Sequence, residues 1–129
     1  MKEKRKYFRV RPADDEPVEL QIMSGNFLEI LHVQDVSEGG VSVRVPHGFD
    51  ASLIGKTHDA ILTLPGDIPF KIKGTIRHGR DNAGRAMYGI EFQHSLETSR
   101  FRIRRYVIAR RASMADGNAS VTAVSRMES

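Results

Sequence analysis

Six stretches of apolar and polar alternation, the first five each closed by a glycine-, proline- or asparagine-containing turn, leave this chain little choice of architecture. Val18, Leu20 and Ile22 alternate with Glu19 and Gln21, the period-two pattern of a strand with one buried face. Ser24-Gly25-Asn26 reads as a hairpin turn, and Phe27 to Gln34 returns as a second strand with Leu28 and Ile30 on one face. Val41, Val43 and Val45 make a third strand, which Pro46-His47-Gly48 ends. Phe49 to Lys56 reads as a loop with Leu53 and Ile54 turned inward; Ala60, Leu62 and Leu64 then form a fourth strand up to Pro65-Gly66-Asp67. Ile68, Phe70, Ile72 and Ile76 alternate with Lys71, Lys73, Thr75 and Arg77 on a fifth, where Gly74 predicts a bulge or a barrel bend. After the turn Asp81-Asn82-Ala83-Gly84, a sixth strand carries Ala86, Tyr88, Ile90 and Phe92. Short strands joined in this way predict a mainly β fold, a six-stranded antiparallel barrel that is closed or nearly so.

The period changes at the C-terminal end. Thr98 to Ala112 holds neither Gly nor Pro, and Ile103, Tyr106 and Val107 share one helical stripe that can pack on the barrel. Phe101 and Ile108 fall on the opposite side, either over irregular parts of the barrel or as a dimer or partner surface. Residues 113–129 are small, polar and aperiodic, and predict a disordered tail. At the other end, residues 1–11 set Lys2, Lys4, Arg5, Lys6, Arg9 and Arg11 against Glu3 alone, so a flexible arm is expected there. Tyr7 and Phe8 in that arm can dock on the body or stack on a base. The proline-broken connector Pro12 to Pro17 opens the remaining unit, residues 12–112, and a chain of 129 residues supports one core.

Charge narrows the class of partner. Twenty Lys and Arg against sixteen Asp and Glu give a net charge of +4, concentrated in the arm and in Arg100, Arg102, Arg104, Arg105, Arg110 and Arg111. That placement favours an anionic partner. The chain has no cysteine, which removes disulfides and thiolate metal sites and fits a reducing cytoplasm. No apolar stretch at the N-terminus resembles a signal peptide and none is long enough for a membrane span, so a cytoplasmic protein without membrane insertion is expected. His32, Asp35 and Ser37 have the residue types of a nucleophilic triad, but alternation sends strand neighbours to different faces and there is no nucleophile elbow. The five histidines lack paired ligand spacing. No catalytic residue, metal or cofactor is expected, which leaves a binding module rather than an enzyme.

Two motifs supply the binding chemistry. Arg5 and Arg9, four residues apart, can set two guanidinium forks side by side, each matching a phosphate or the O6/N7 edge of guanine. Asp35-Val36-Ser37-Glu38-Gly39-Gly40 sits at a strand-to-strand corner. It combines a carboxylate acceptor, a hydroxyl, and glycines that allow positive φ and close backbone approach. In this order, with Tyr88-Gly89-Ile90-Glu91-Phe92 following, the stretch from Arg5 to roughly Arg110 resembles the PilZ domain family, bacterial receptors for the second messenger cyclic di-GMP.

The resemblance implies a PilZ-type β-barrel with a C-terminal α-helix, acting in signal transduction as a cyclic di-GMP receptor. It implies that Arg5 and Arg9 grip guanine and phosphate, and that Asp35 and Ser37 meet a guanine edge and the phosphate–ribose backbone. Gly39 and Gly40 complete the corner, Lys4 adds a cation where a second ligand could stack, and Arg77 stands beside the ligand. The arm would order on binding and signal to a downstream protein partner, the receptor being a monomer or weak dimer. The alternative is a small basic barrel that binds single-stranded nucleic acid. Aromatic residues make up only 7% of the chain and form no run along a strand face, so nucleic acid is not the expected partner.

Overall fold

The computed structural model describes residues 7–24, 27–45, 51–82, 85–94 and 96–127. Six strands, β1 (Glu19–Ser24), β2 (Phe27–Ser37), β3 (Gly40–Val45), β4 (Thr57–Thr63), β5 (Phe70–Asn82) and β6 (Arg85–Gln93), precede one helix, α1 (Glu97–Met127). All neighbouring strands are antiparallel, in the order β1-β2-β3-β6-β5-β4. Pairing of Leu20 in β1 with Leu62 in β4 closes the barrel. Closure removes the sheet edges that six alternating strands would otherwise expose.

The inward faces build one core. Leu20, Leu62, Val36 and Val43 are fully enclosed, and Ile103 and Val107 of α1 join them. Each such side chain contributes about 1.5–3 kcal/mol by leaving water. Antiparallel alternation places the β2–β3 corner, the β4–β5 loop and the exit from β6 at one end of the barrel, where α1 begins. Arg102 fastens α1 to that loop through Asp67, with Nε at 3.0 Å from Oδ2 and Nη2 at 2.9 Å from Oδ1. It also donates to the Ile68 carbonyl and lies over the Phe70 ring at 4.1 Å. Of the two readings of Phe101 and Ile108, packing over the barrel is not what is seen: they face outward, 53% and 60% exposed.

Several local expectations change. The inward residues of β2 are Leu31 and Val33, while Ile30 is 58% exposed, so the face assigned to Ile30 is inverted. Its partner fixes this phase: buried Leu20 pairs with Leu31. β2 also runs through Asp35 and Val36 to Ser37, leaving only Glu38 and Gly39 for the corner. The bulge of β5 lies between Ile76 and His78, not at Gly74. Gly74 instead makes room for Ile90, whose Cγ2 would stand 2.6 Å from a Cβ there. β5 continues to Asn82, past the start of the expected turn, and Ile68 lies outside it, 74% exposed. α1 extends beyond Ala112, with described side chains to Met114. The turn residues Gly25, Asn26, Pro46, His47, Gly48, Ala83 and Gly84 fall outside the described residues.

Candidate functional site

Two bulges shape one groove. In β2 the register shifts between Val33 and Asp35, and in β5 between Ile76 and His78. A bulge adds a residue to one strand and re-aims the side chain that follows. β3 and β6 run between these strands, so Asp35 and His78 come to flank the same surface. The groove there has a volume of about 510 Å³, and its lining includes Arg9, Asp35, Ser37, Gly39, Gly40 and Arg77. Tyr7, His78, Gly89 and Glu91 also line it.

The arm reaches this groove through Val10. Val10 is buried and exchanges two backbone hydrogen bonds with Val36, each 2.8 Å. That bridge sets Arg9 beside Asp35, with Nη1 at 3.8 Å from Oδ1. Both side chains are partly exposed, at 43% and 31%, and such a pair contributes under about 1 kcal/mol. Arg110 of α1 donates to the Arg11 carbonyl at 2.7 Å, and Arg111 lies 3.5 Å over the Phe8 ring. Residues 7–11 therefore lie along the barrel and α1. Lys4 and Arg5 lie outside the described residues.

Within the corner, the Ser37 hydroxyl accepts from the Gly39 and Gly40 amides, each at 3.2 Å. Neither glycine has positive φ; the described glycines that do are Gly55 and Gly66. Close approach is what requires them. A Cβ on Gly39 would stand 2.6 Å from Tyr7 Cδ2, and one on Gly40 would overlap the Ile90 carbonyl oxygen. Gly89 serves His78 in the same way, since the imidazole lies directly on it and Nδ1 would be 2.9 Å from a Cβ.

The expected site residues thus differ in availability. Arg9, Asp35, Ser37, Gly39 and Gly40 are brought together as anticipated. Arg77 lines the groove but is engaged by Glu91, its Nε 2.6 Å from Oε1. His78 was not anticipated. It shares the groove with Asp35 and Arg9, and an imidazole is both a flat surface and a hydrogen-bonding group. No sequence signal marks it, because the apolar phase of Ile72 and Ile76 stays regular up to the bulge. The bulge beside Asp35 does leave a mark, since buried Leu31 and Val33 are followed by buried Val36, a change of parity across Asp35.

A second groove of about 810 Å³ adjoins the first and shares Arg9, Asp35, His78 and Gly89 with it. Arg11, Arg80 and Arg110 line its far side. On the corner itself, Glu38 is held by α1: Arg104 Nε lies 3.1 Å from Oε1 and Nη2 3.0 Å from Oε2. These bonds hold the Glu38 carboxyl below the usual range, against an opposing push from burial.

The model of the PilZ domain matches residues 3–109. The chain belongs to the PilZ domain family. Among solved structures, this PilZ domain is similar to the inhibitor of motility MotI/DgrA of Bacillus subtilis, with TM-score 0.69 and 18% identity over 86% of this chain and 53% of that one. It is also similar to the PilZ domain of Escherichia coli YcgR with c-di-GMP, with TM-score 0.73 and 15% identity over 91% and 98%. The K. pneumonia MrkH–c-di-GMP complex gives TM-score 0.71 and 14% identity over 82% and 52%. The present chain thus spans about half the length of the MotI and MrkH chains. Comparison with curated proteins gives no match. Among the described residues, no helix of this PilZ domain is long and apolar enough to cross a membrane.

Proposed function

We propose that this PilZ domain is a cytoplasmic receptor for cyclic di-GMP that acts by binding rather than by catalysis. One observation carries the reading: Arg9, Asp35, Ser37, Gly39, Gly40 and His78 converge on one groove beside two strand bulges. The ligand presents two phosphates and two guanines. Asp35 accepts from a guanine N1/N2 edge, Arg9 and Arg5 supply forks for phosphate or the guanine O6/N7 edge, and the small corner lets backbone amides come close. His78 offers its ring face to a base, and Arg77 approaches the ligand from the rim by leaving Glu91. Each charge-assisted bond contributes about 1.5–3 kcal/mol before ordering costs, so four of them support micromolar affinity. Residues preceding the Val10 anchor close over the ligand as an arm, and the newly fixed arm meets a downstream protein partner. Lys4 supports a second stacked ligand.

Calorimetry with cyclic di-GMP, in the presence of excess GTP or a single-stranded oligonucleotide, tests this reading. Saturable heat with Kd below about 10 µM, undiminished by either competitor, is expected. Absence of heat up to about 100 µM ligand overturns it. Displacement by the oligonucleotide alone would favour the nucleic-acid alternative.

A further inference from the structure

Glu38 stands between Ser37 and Gly39 yet contributes no side chain to the groove. Its carboxylate points to α1, where Arg104 binds both oxygens and Arg100 Nε lies 3.5 Å from Oε2. Only 14% of the Glu38 side chain is exposed, and a carboxylate this enclosed is costly to leave without a cation. The corner is gripped on its backbone as well. The Glu38 carbonyl accepts from His94 Nε2 at 2.7 Å, and the Gly39 carbonyl accepts from the Phe92 amide at 2.8 Å. The same two peptide groups carry the Gly39 and Gly40 amides, which the Ser37 hydroxyl holds. Moving Glu38 therefore moves the backbone that lines the groove.

We propose that Glu38 and Arg104 are positioning residues for ligand binding: their ion pair holds the Ser37–Gly40 corner in its receptive shape and couples occupancy of the groove to the seating of α1. The ligand identity used here rests on the cyclic di-GMP reading above. By linkage, whatever α1 docking contributes to affinity, bound ligand returns as stability of α1 on the corner. α1 is thus the element through which occupancy reaches the far side of the domain. The Arg102–Asp67 pair makes the inference separable from general helix stability. It fastens the same helix with a bidentate contact of the same quality, but on the β4–β5 loop, outside the groove.

The test compares the full chain with Glu38→Gln, Arg104→Gln, the double variant, Arg104→Lys and the control Arg102→Gln. Cyclic di-GMP affinity is read by calorimetry and apo stability by melting temperature. Glu38→Gln and Arg104→Gln are each expected to weaken binding about five- to tenfold, the double variant no further, and Arg104→Lys to recover most of the loss. Arg102→Gln lowers the melting temperature but keeps affinity within about twofold. Losses that multiply in the double variant, or an equal loss in Arg102→Gln, overturn the proposal, as do unchanged affinities in Glu38→Gln and Arg104→Gln while the unmodified chain binds. Amide exchange at Gly39 and Gly40 in ligand-free protein decides the matter independently. Faster exchange in Arg104→Gln but not in Arg102→Gln supports positioning, and equal rates contradict it. If the unmodified chain fails to bind, the cyclic di-GMP reading falls while this exchange comparison still judges the corner.

Discussion

Alanine at two adjacent glycines is expected to give opposite phenotypes. At Gly40 a Cβ would overlap the Ile90 carbonyl oxygen and lie 3.1 Å from Ile90 C and 3.2 Å from Glu91 Cα. All three are backbone atoms of β6, paired with Gly40 itself through the Gly40↔Glu91 register. No side-chain rotation relieves the clash, so the β3–β6 ladder must open by on the order of 1 Å to reach ordinary contact near 3.5 Å. Overpacking costs about 1–3 kcal/mol and a weakened ladder bond about 1 more, less roughly 0.5 that alanine returns by restricting the unfolded chain. The net, about 1.5–3.5 kcal/mol, corresponds to a melting temperature lowered by roughly 6–13 °C in a domain of this size. At Gly39 the obstruction is the Tyr7 ring, 2.6 and 2.8 Å from the added Cβ, and a ring on the arm can swing away. Gly39→Ala should therefore cost under about 0.5 kcal/mol of stability. It should weaken cyclic di-GMP binding about fivefold because the arm no longer seats against the corner. Thermal melts followed by circular dichroism, with calorimetry on the same samples, read both effects. A Gly40→Ala melt within about 2 °C of the unmodified chain, or a larger drop for Gly39→Ala, would refute the packing argument.

Ile103→Ala should cost about 2–4 kcal/mol in urea unfolding, because Ile103 is fully enclosed, whereas Ile108→Ala, 60% exposed, should stay within about 0.5. Arg9→Ala should leave the melt nearly unchanged, since its 3.8 Å contact with Asp35 is exposed, but should weaken cyclic di-GMP binding at least about tenfold by calorimetry. Acid should loosen α1: the Arg104 hydrogen bonds lower the Glu38 pKa and those of Arg102 lower that of Asp67. Carboxyls depressed in the folded state contribute stability that is complete above their unfolded values near 4 and is lost as pH falls through the lowered ones. Urea midpoints should thus decline below about pH 4.5, and Glu38→Gln with Asp67→Asn should flatten that decline.

What could be read from the sequence was what repeats along it. Alternating valines and leucines located each strand within a few residues, and the spacing of Ile103 and Val107 marked the buried side of α1. Asp35, Ser37 and the glycine pair were recognisable because their residue types match anion and guanine chemistry. The phase of β2 was not, since Leu28 and Ile30 satisfy alternation as well as Leu31 and Val33 do, and only pairing with Leu20 decides between them. His78 was missed because its orientation follows from a bulge formed against β6, not from its neighbours in sequence. Glu38 and Arg104 lie 66 residues apart, and no local pattern joins them. Of the two reasons for the corner glycines, close approach holds and positive φ does not: Tyr7 and Ile90, not backbone handedness, exclude a side chain there.

Amide shifts during titration with cyclic di-GMP test the central claim most directly. Saturable shifts are expected at Arg9, Ser37, Gly39, Gly40, His78 and Gly89, which share the groove, with β1 and β4 little changed. Saturable shifts confined to the outer face of α1 around Phe101 and Ile108, or to the far side of the second groove around Arg80 and Arg110, would contradict it.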